Sequence, residues 1–252
     1  MKITINQEEY TSNVLNALLK LKRQQPMIKT RWIMLPILIL LVMYSWQQQF
    51  FTAWVLISFI WTVIVVNQAL IARTRRDKLE KIGQLKINPI FWNELQQKYS
   101  VLDLEQRQLI EQGFKDYLAL QVLQKQAYAM PSHAVDELWH VMLKYPIQYK
   151  QLCQQTIGRV LTHNPYDTTT KPEAQAVQLF ESWKYSCMLH EFNPRNTSQL
   201  SRLFAIDQVL GWESGQTYEL EQMTKDFAKY KQNQTSSSSC GSSCSSCGGG
   251  GD

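Results

Sequence analysis

Residues Met130–Pro165, MPSHAVDELWHVMLKYPIQYKQLCQQTIGRVLTHNP, set one aspartate, three histidines and a cysteine into an apolar pattern of helical period. Pro131 and Ser132 open a helix, Pro146 breaks it and starts another, and Gly158 supplies a C-terminal stop. On the first helix Val135, Leu138, Trp139 and Met142 form one apolar stripe, with Asp136 and His140 at its edge. Spaced four residues apart, these two side chains point the same way, roughly 40° apart around the helix. On the second helix Cys153 lines up with Tyr149 and Ile157 and therefore faces inward, and His163 follows the glycine turn and can return toward the same point. Asp136, His140, Cys153 and His163 together offer the O, N and S donors that zinc accepts. A purely structural reading stays open beside this one. Asp136 is favourable near a helix N-terminus on dipole grounds, Cys153 is a small residue suited to a core, and His140 can simply hydrogen-bond Asp136.

The flanking sequence continues in helices. Asn88-Pro89 opens a short aromatic helix through Tyr99, and Asp103 with Gln106 has capping-box spacing at the start of a longer one reaching Gln124. Downstream, Thr170 and Glu173 repeat that spacing before a helix expected to reach Phe192, where Asn193-Pro194 stops it; a last helix is expected from Ser198 to Leu210, ended by Gly211. Cys187 and His190 fall in line with Phe180 and Trp183, as core fillers or as a small metal or redox pair. No strand pattern and no internal repeat occurs. Residues 85–225 are therefore expected to form a compact all-α domain.

Further toward the N-terminus the chain turns lipophilic. The run Trp32–Trp46, WIMLPILILLVMYSW, and the run Phe50–Ala72 carry no charge. The second is long enough for a bilayer core of about 30 Å, and the first reaches the ~20 residues needed by recruiting its flanks. No small-residue cleavage site follows Trp46 and a second span comes at once, so an uncleaved hairpin is expected over 28–73, with spans at 28–49 and 50–73, rather than a signal peptide. Lys and Arg cluster before the first span and again at Arg73, Arg75, Arg76, Lys78 and Lys81, whereas the connecting Gln47–Gln49 has none. The expected location is thus the cytoplasmic membrane, multi-pass, with both termini cytoplasmic. Asn67 is the polar residue inside the second span and is suited to bonding the first span or another copy. Within residues 1–27, Gln7–Gln25 reads as an amphipathic helix with Val14, Leu15, Leu18, Leu19 and Leu21 near one side, fit either for the membrane surface or for packing on the domain.

The formal charge of +5 is largely this topology signal. No basic stripe interleaved with aromatics follows, so nucleic acid is not an expected partner; the lipid bilayer is, with a protein partner or a second copy as further candidates. Residues 232–252, QNQTSSSSCGSSCSSCGGGGD, are low in complexity and are expected to form a disordered tail. Its Cys240, Cys244 and Cys247 have the spacing of the iron-sulfur motif of radical S-adenosylmethionine enzymes, but no barrel precedes them and only five residues follow, which excludes that assignment. In a reducing cytoplasm they are not expected to form disulfides.

The ordered Pro-Ser, Val-Asp, Trp-His, Tyr, Cys, Gly, Leu and His-x-Pro pattern of Met130–Pro165 resembles the core signature of the glycine-rich domain-containing proteins. The later SWKYSCMLHEFNPRNTSQLSRLFAIDQVLG resembles the segment that follows it in bacterial members. The resemblance covers residues 110–215 and implies that Asp136, Trp139, His140, Tyr149, Cys153, Gly158, His163 and Pro165 are motif positions, with Cys187 a further one. Met142 stands where some members carry a second histidine, which removes one ligand. The resemblance implies no particular reaction. The expectation is a membrane-anchored binding or regulatory module holding a metal, zinc by its donors, at Asp136, His140, Cys153 and His163. Its rivals are a metal- or His/Cys-dependent enzyme, and a scaffold whose polar cluster only fixes the fold. No nucleophile elbow, phosphate loop or H-E-x-x-H sequence favours the enzyme.

Overall fold

The computed structural model describes residues 12–23, 51–99, 102–124, 126, 128–163 and 172–238. These residues are helical throughout, without a strand among them: α1 Ser12–Lys20, α2 Phe51–Gln84, α3 Pro89–Lys98, α4 Leu104–Leu123, α5 His133–Leu143, α6 Pro146–Thr156, α7 Pro172–Leu189, α8 Arg202–Leu210 and α9 Leu220–Ser238. Local chemistry sets several of the boundaries. Asn88 caps α3 through its side chain, Asp103 and Gln106 complete a reciprocal capping box on α4, and Ser132 caps α5 at Val135. Pro146 begins α6, and Gly158, at φ +77°, stops it in the left-handed conformation that favours glycine.

α4 is the central helix, packed against α1, α2, α5, α7 and α8. Leu109, Ile110, Phe114 and Leu118 of α4 are fully buried, and Gly113 permits the close approach of its neighbours, because a Cβ there would collide with Ile206 of α8 and lie 2.8 Å from Val135 of α5. α1 buries Leu15 and Leu18 against α4 and α8 while Val14 stays exposed. Of its two expected placements, it takes the one on the domain.

α2 is 34 residues long, about 51 Å at ~1.5 Å per residue, well over the thickness of a bilayer core. Among the described residues it is the one helix long and apolar enough to cross a membrane, and the apolar stretch is not buried in the protein. Leu56, Phe59, Ile60, Val63, Leu70 and Asn67 are all exposed, and the hydroxyls of Thr62 and Thr74 are satisfied inside the helix by the carbonyls of Ser58 and Leu70. Its last turns enter the domain, where Leu79 and Ile82 are buried. The helical domain therefore starts before residue 85. The other expected span, 28–49, lies outside the described residues, so one candidate span is seen where two are expected.

Three further boundaries differ from expectation. α7 stops at Leu189 rather than Phe192, because the chain reverses at Glu191 (φ 63°) and the Phe192 amide closes back on the Cys187 carbonyl at 2.9 Å. Thr170, its expected cap, lies outside the described residues. α8 starts at Arg202, later than Ser198. α9 runs to Ser238 and so takes in the first residues of the expected tail; it buries Met223 and Phe227, and Tyr230 stacks on Phe180 of α7 at 5.0 Å. Those three apolar residues, spaced three and four apart among polar ones, are a narrow stripe. Cys240, Cys244 and Cys247 lie outside the described residues.

A buried charge cluster crosses the core. The carboxylate of Asp116 in α4 is fully buried and accepts from Arg202 at 2.7 and 3.1 Å, from Arg23 at 2.9 Å and from His190 at 3.0 Å. Arg202 also donates to the Leu18 carbonyl at 2.8 Å. Burial alone would raise the Asp116 pKa, but Arg202, His190 and Arg23 outweigh it and hold the carboxyl well below the usual range. A carboxyl depressed in the folded state stabilises the fold above its unfolded pKa, and that contribution is lost as pH falls through the folded value. Asp116→Asn is expected to cost about 3–5 kcal/mol in denaturant unfolding of the detergent-solubilised chain, because it leaves the buried Arg202 guanidinium and the part-buried Arg23 guanidinium uncompensated. The wild type is expected to lose stability below about pH 4, a component that the variant lacks. An unchanged unfolding midpoint would contradict this account.

Candidate functional site

α5 carries two of the candidate residues, and its position is fixed by a carboxylate from another helix. Asp207 of α8 is buried and accepts from the Ser132 hydroxyl at 2.6 Å, the amides of His133 and Ala134 at 2.7 and 3.1 Å, and the Gln216 amide at 2.9 Å. The first-turn amides that a helix leaves unpaired are thus satisfied at a buried N-terminus, where a negative charge also meets the helix dipole favourably. Neither Asp207 nor Asp116 stood out in the sequence as a functional residue. The available signal was a lone acid within an apolar helical run, DYLAL for one and LFAIDQVLG for the other.

The second element is the turn after α6. Trp139 Nε1 donates to the Tyr149 hydroxyl at 2.8 Å, which donates in turn to the Leu161 carbonyl at 2.9 Å. The strap brings the chain back over α5. His163 then packs its ring edge-to-face on Trp139, with centroids 4.5 Å apart, and its Nε2–H donates to Asp136 Oδ1 at 2.9 Å. His140 Nδ1 lies 3.7 Å from the other Asp136 oxygen, and the two imidazole centroids are 4.5 Å apart.

One ligand-type atom from each of Asp136, His140 and His163 lies within 4.8 Å of the others. Donors on one tetrahedral ion with bonds of ~2.0–2.1 Å are about 3.3 Å apart, so a shared ion requires atoms up to 4.8 Å apart to draw closer. The side chain of His163 is 10% exposed, that of Asp136 26% and that of His140 44%, which leaves the group open on the His140 side.

Cys153 stands outside this group, a correction to the expected four-residue set. Its inward helical face leads into the core beneath Tyr149, not to the edge where Asp136 sits, and it is fully buried. Burial pushes its thiol pKa up, against the opposing pull of the Leu161 backbone, the Tyr149 hydroxyl and the Arg159 charge. Cys187 is likewise buried and is pushed up to about 12 by burial. His190, its expected companion, serves Asp116 instead. His133 uses its amide on Asp207, and its ring lies 3.3 Å from the Gln216 side chain. Met142 is core. Replacing Asp207 with Ala leaves the buried amides at the start of α5 unpaired and is expected to lower stability by about 1–3 kcal/mol, read from the shift in urea midpoint. A change below ~0.5 kcal/mol would mean that Ser132 alone caps the helix.

The search of the curated proteins and that of the solved structures found no match. A family model, UCP032817-like, matches residues 77–244, from within α2 to past the end of α9. This overturns the resemblance of Met130–Pro165 to the glycine-rich domain-containing proteins, to which no comparison points. The residues that carried it have local explanations here: Trp139, Tyr149 and Leu161 form the strap, Gly158 the left-handed turn and Cys153 the core beneath it. Since the match spans two thirds of its length, the chain belongs to the UCP032817-like family.

Proposed function

We propose that this protein is a membrane-anchored helical module that binds a first-row divalent metal ion, zinc by preference, through Asp136, His140 and His163. The observation that carries the reading is the convergence of these three side chains from α5 and the following turn. Two imidazoles and a carboxylate are a donor set that zinc and iron(II) both accept. Trp139 packs on the His163 ring and the Tyr149 strap supports the turn that presents it, so the site has an ordered surrounding.

The anchor is a two-span hairpin with both termini cytoplasmic. Its support is topological. Arg23 is held on Asp116, and Leu79 and Ile82 of α2 are buried in the same domain. A chain that leaves one domain and returns to it crosses a membrane an even number of times. A crossing by α2 therefore calls for another between Arg23 and Phe51, and Trp32–Trp46 is the apolar run available there. The basic residues at Arg73, Arg75 and Arg76 favour the cytoplasmic side for the domain.

An enzymatic reading is favoured by one observation, the exposure of His140, since catalytic zinc sites keep a position open beside three protein ligands. A cysteine nucleophile is disfavoured by the burial of Cys153.

Metal analysis of the purified full-length chain is expected to find about one zinc per chain. His140→Ala or His163→Ala is expected to weaken zinc binding by about 100-fold or more, and Cys153→Ser to leave it unchanged. A wild type that binds neither zinc nor iron(II) overturns the metal reading. For the anchor, Gln48→Cys in a background with Cys240, Cys244 and Cys247 changed to serine is expected to react with a membrane-impermeant maleimide in intact cells. Labelling only after lysis would sink the hairpin.

A further inference from the structure

The end of α2 and the turn that presents His163 are in direct contact. Lys78, on the part of α2 beyond the apolar stretch, donates to the Ile157 carbonyl at 2.7 Å. Its ammonium also occupies the space beside Gly158, where a Cβ would lie 3.3 Å from Nζ and 3.7 Å from Cε. Ile157 is the C-cap of α6, its amide donating to the Cys153 carbonyl at 2.9 Å, so the Lys78 charge sits at the negative end of that helix dipole. Gly158 holds the left-handed conformation that turns the chain toward Leu161, and the Tyr149 hydroxyl fixes the Leu161 carbonyl two residues before His163. Lys78 thus contacts one end of the short turn 157–163, and its other end carries His163, whose Nε2–H donates to Asp136. α2 is unbroken from Phe51 to Gln84, so its apolar half and Lys78 lie on one continuous helix. Next to Lys78, the side chains of Leu79 and Ile82 are buried in the core.

We infer that Lys78 is a positioning residue for the metal site and that ion occupancy at Asp136, His140 and His163 is coupled to the seating of α2 on α6. The inference rests on the metal reading above. Lys78 holds the turn at the distance that lets His163 reach Asp136, and an ion that pulls His163 inward tightens the turn against Lys78. Such coupling is reciprocal: whatever unseats α2 weakens the ion, and the ion protects α2. The apolar part of the same helix then links the site to the state of the membrane.

Two measurements on the full-length chain in nanodiscs test this, with zinc as the probe. Lys78→Met is expected to weaken zinc affinity by about tenfold in a competition titration against a chelating dye, and Lys78→Arg to restore most of it. Hydrogen exchange of the wild type is expected to slow on adding zinc both at residues 157–163 and in α2 around Lys78. Unchanged zinc affinity in Lys78→Met, or slowing confined to residues 133–163 with α2 unaffected, overturns the coupling and leaves the metal site standing. Wild type that takes up no zinc overturns both, and that arm alone distinguishes the two failures. The exchange measurement needs no variant, so it decides the matter even where Lys78→Met does not fold.

Discussion

The carboxylate of Asp116 is the point on which the domain closes. It lies on the central helix α4, and the groups that meet it come from the end of α1, the end of α7 and the start of α8. Desolvating a carboxylate and two guanidiniums is unfavourable, and only near-complete pairing compensates for it. That requirement makes the cluster a constraint rather than a source of stability. An arrangement of these helices that drew Arg202 away from Asp116 would break two of the hydrogen bonds that compensate the buried carboxylate. The pairing therefore selects one relative placement of α1, α4, α7 and α8, and it holds the segment before the first apolar run on the domain.

Asp207 does a similar task with different partners. Its oxygens meet three backbone amides and a hydroxyl rather than guanidiniums, so it fixes a helix end instead of a helix crossing. Because the amides belong to α5 and Gln216, the registration of α8 is transmitted to the helix that carries Asp136 and His140. The two buried acids divide the work. Asp116 sets the frame, and Asp207 sets the angle at which the candidate donors stand in it.

What the sequence made legible was whatever is local. The capping box at Asp103 and Gln106, the Asn88 and Ser132 caps, Pro146 and Gly158 act over one turn of chain, and each is found where it was expected. The placement of Asp136 beside His140 is equally local, being a property of helical period. What stayed hidden is non-local. Asp116 and Arg202 are 86 residues apart, Ser132 and Asp207 are 75, and Lys78 and Ile157 are 79. No periodicity connects such pairs. Cys153 shows the same limit: helical period places it on an inner face, but an inner face can lead to the core or to a shared point with α5, and only the tertiary packing distinguishes them. The family resemblance failed on similar ground, since in this chain Trp139 and Tyr149 serve the strap, Gly158 the turn and Cys153 the core.

The geometry of the triad bears on what kind of site it is. Asp136 accepts from His163 at 2.9 Å and has His140 at 3.7 Å, so without an ion the carboxylate is already served by one close imidazole and faces a second more loosely. A cluster built only to satisfy Asp136 would need one histidine, and the second would gain little at 44% exposure. On the proposed metal reading, the two imidazoles converging on one carboxylate from opposite ends of the strap serve as donors for a common acceptor of electron pairs. The same argument explains the asymmetry of the site. His163 is nearly buried and packed on Trp139, while His140 is 44% exposed. On the proposed metal reading, such a pair holds one donor against the protein and leaves the other open to solvent, as a site with an exchangeable ion requires.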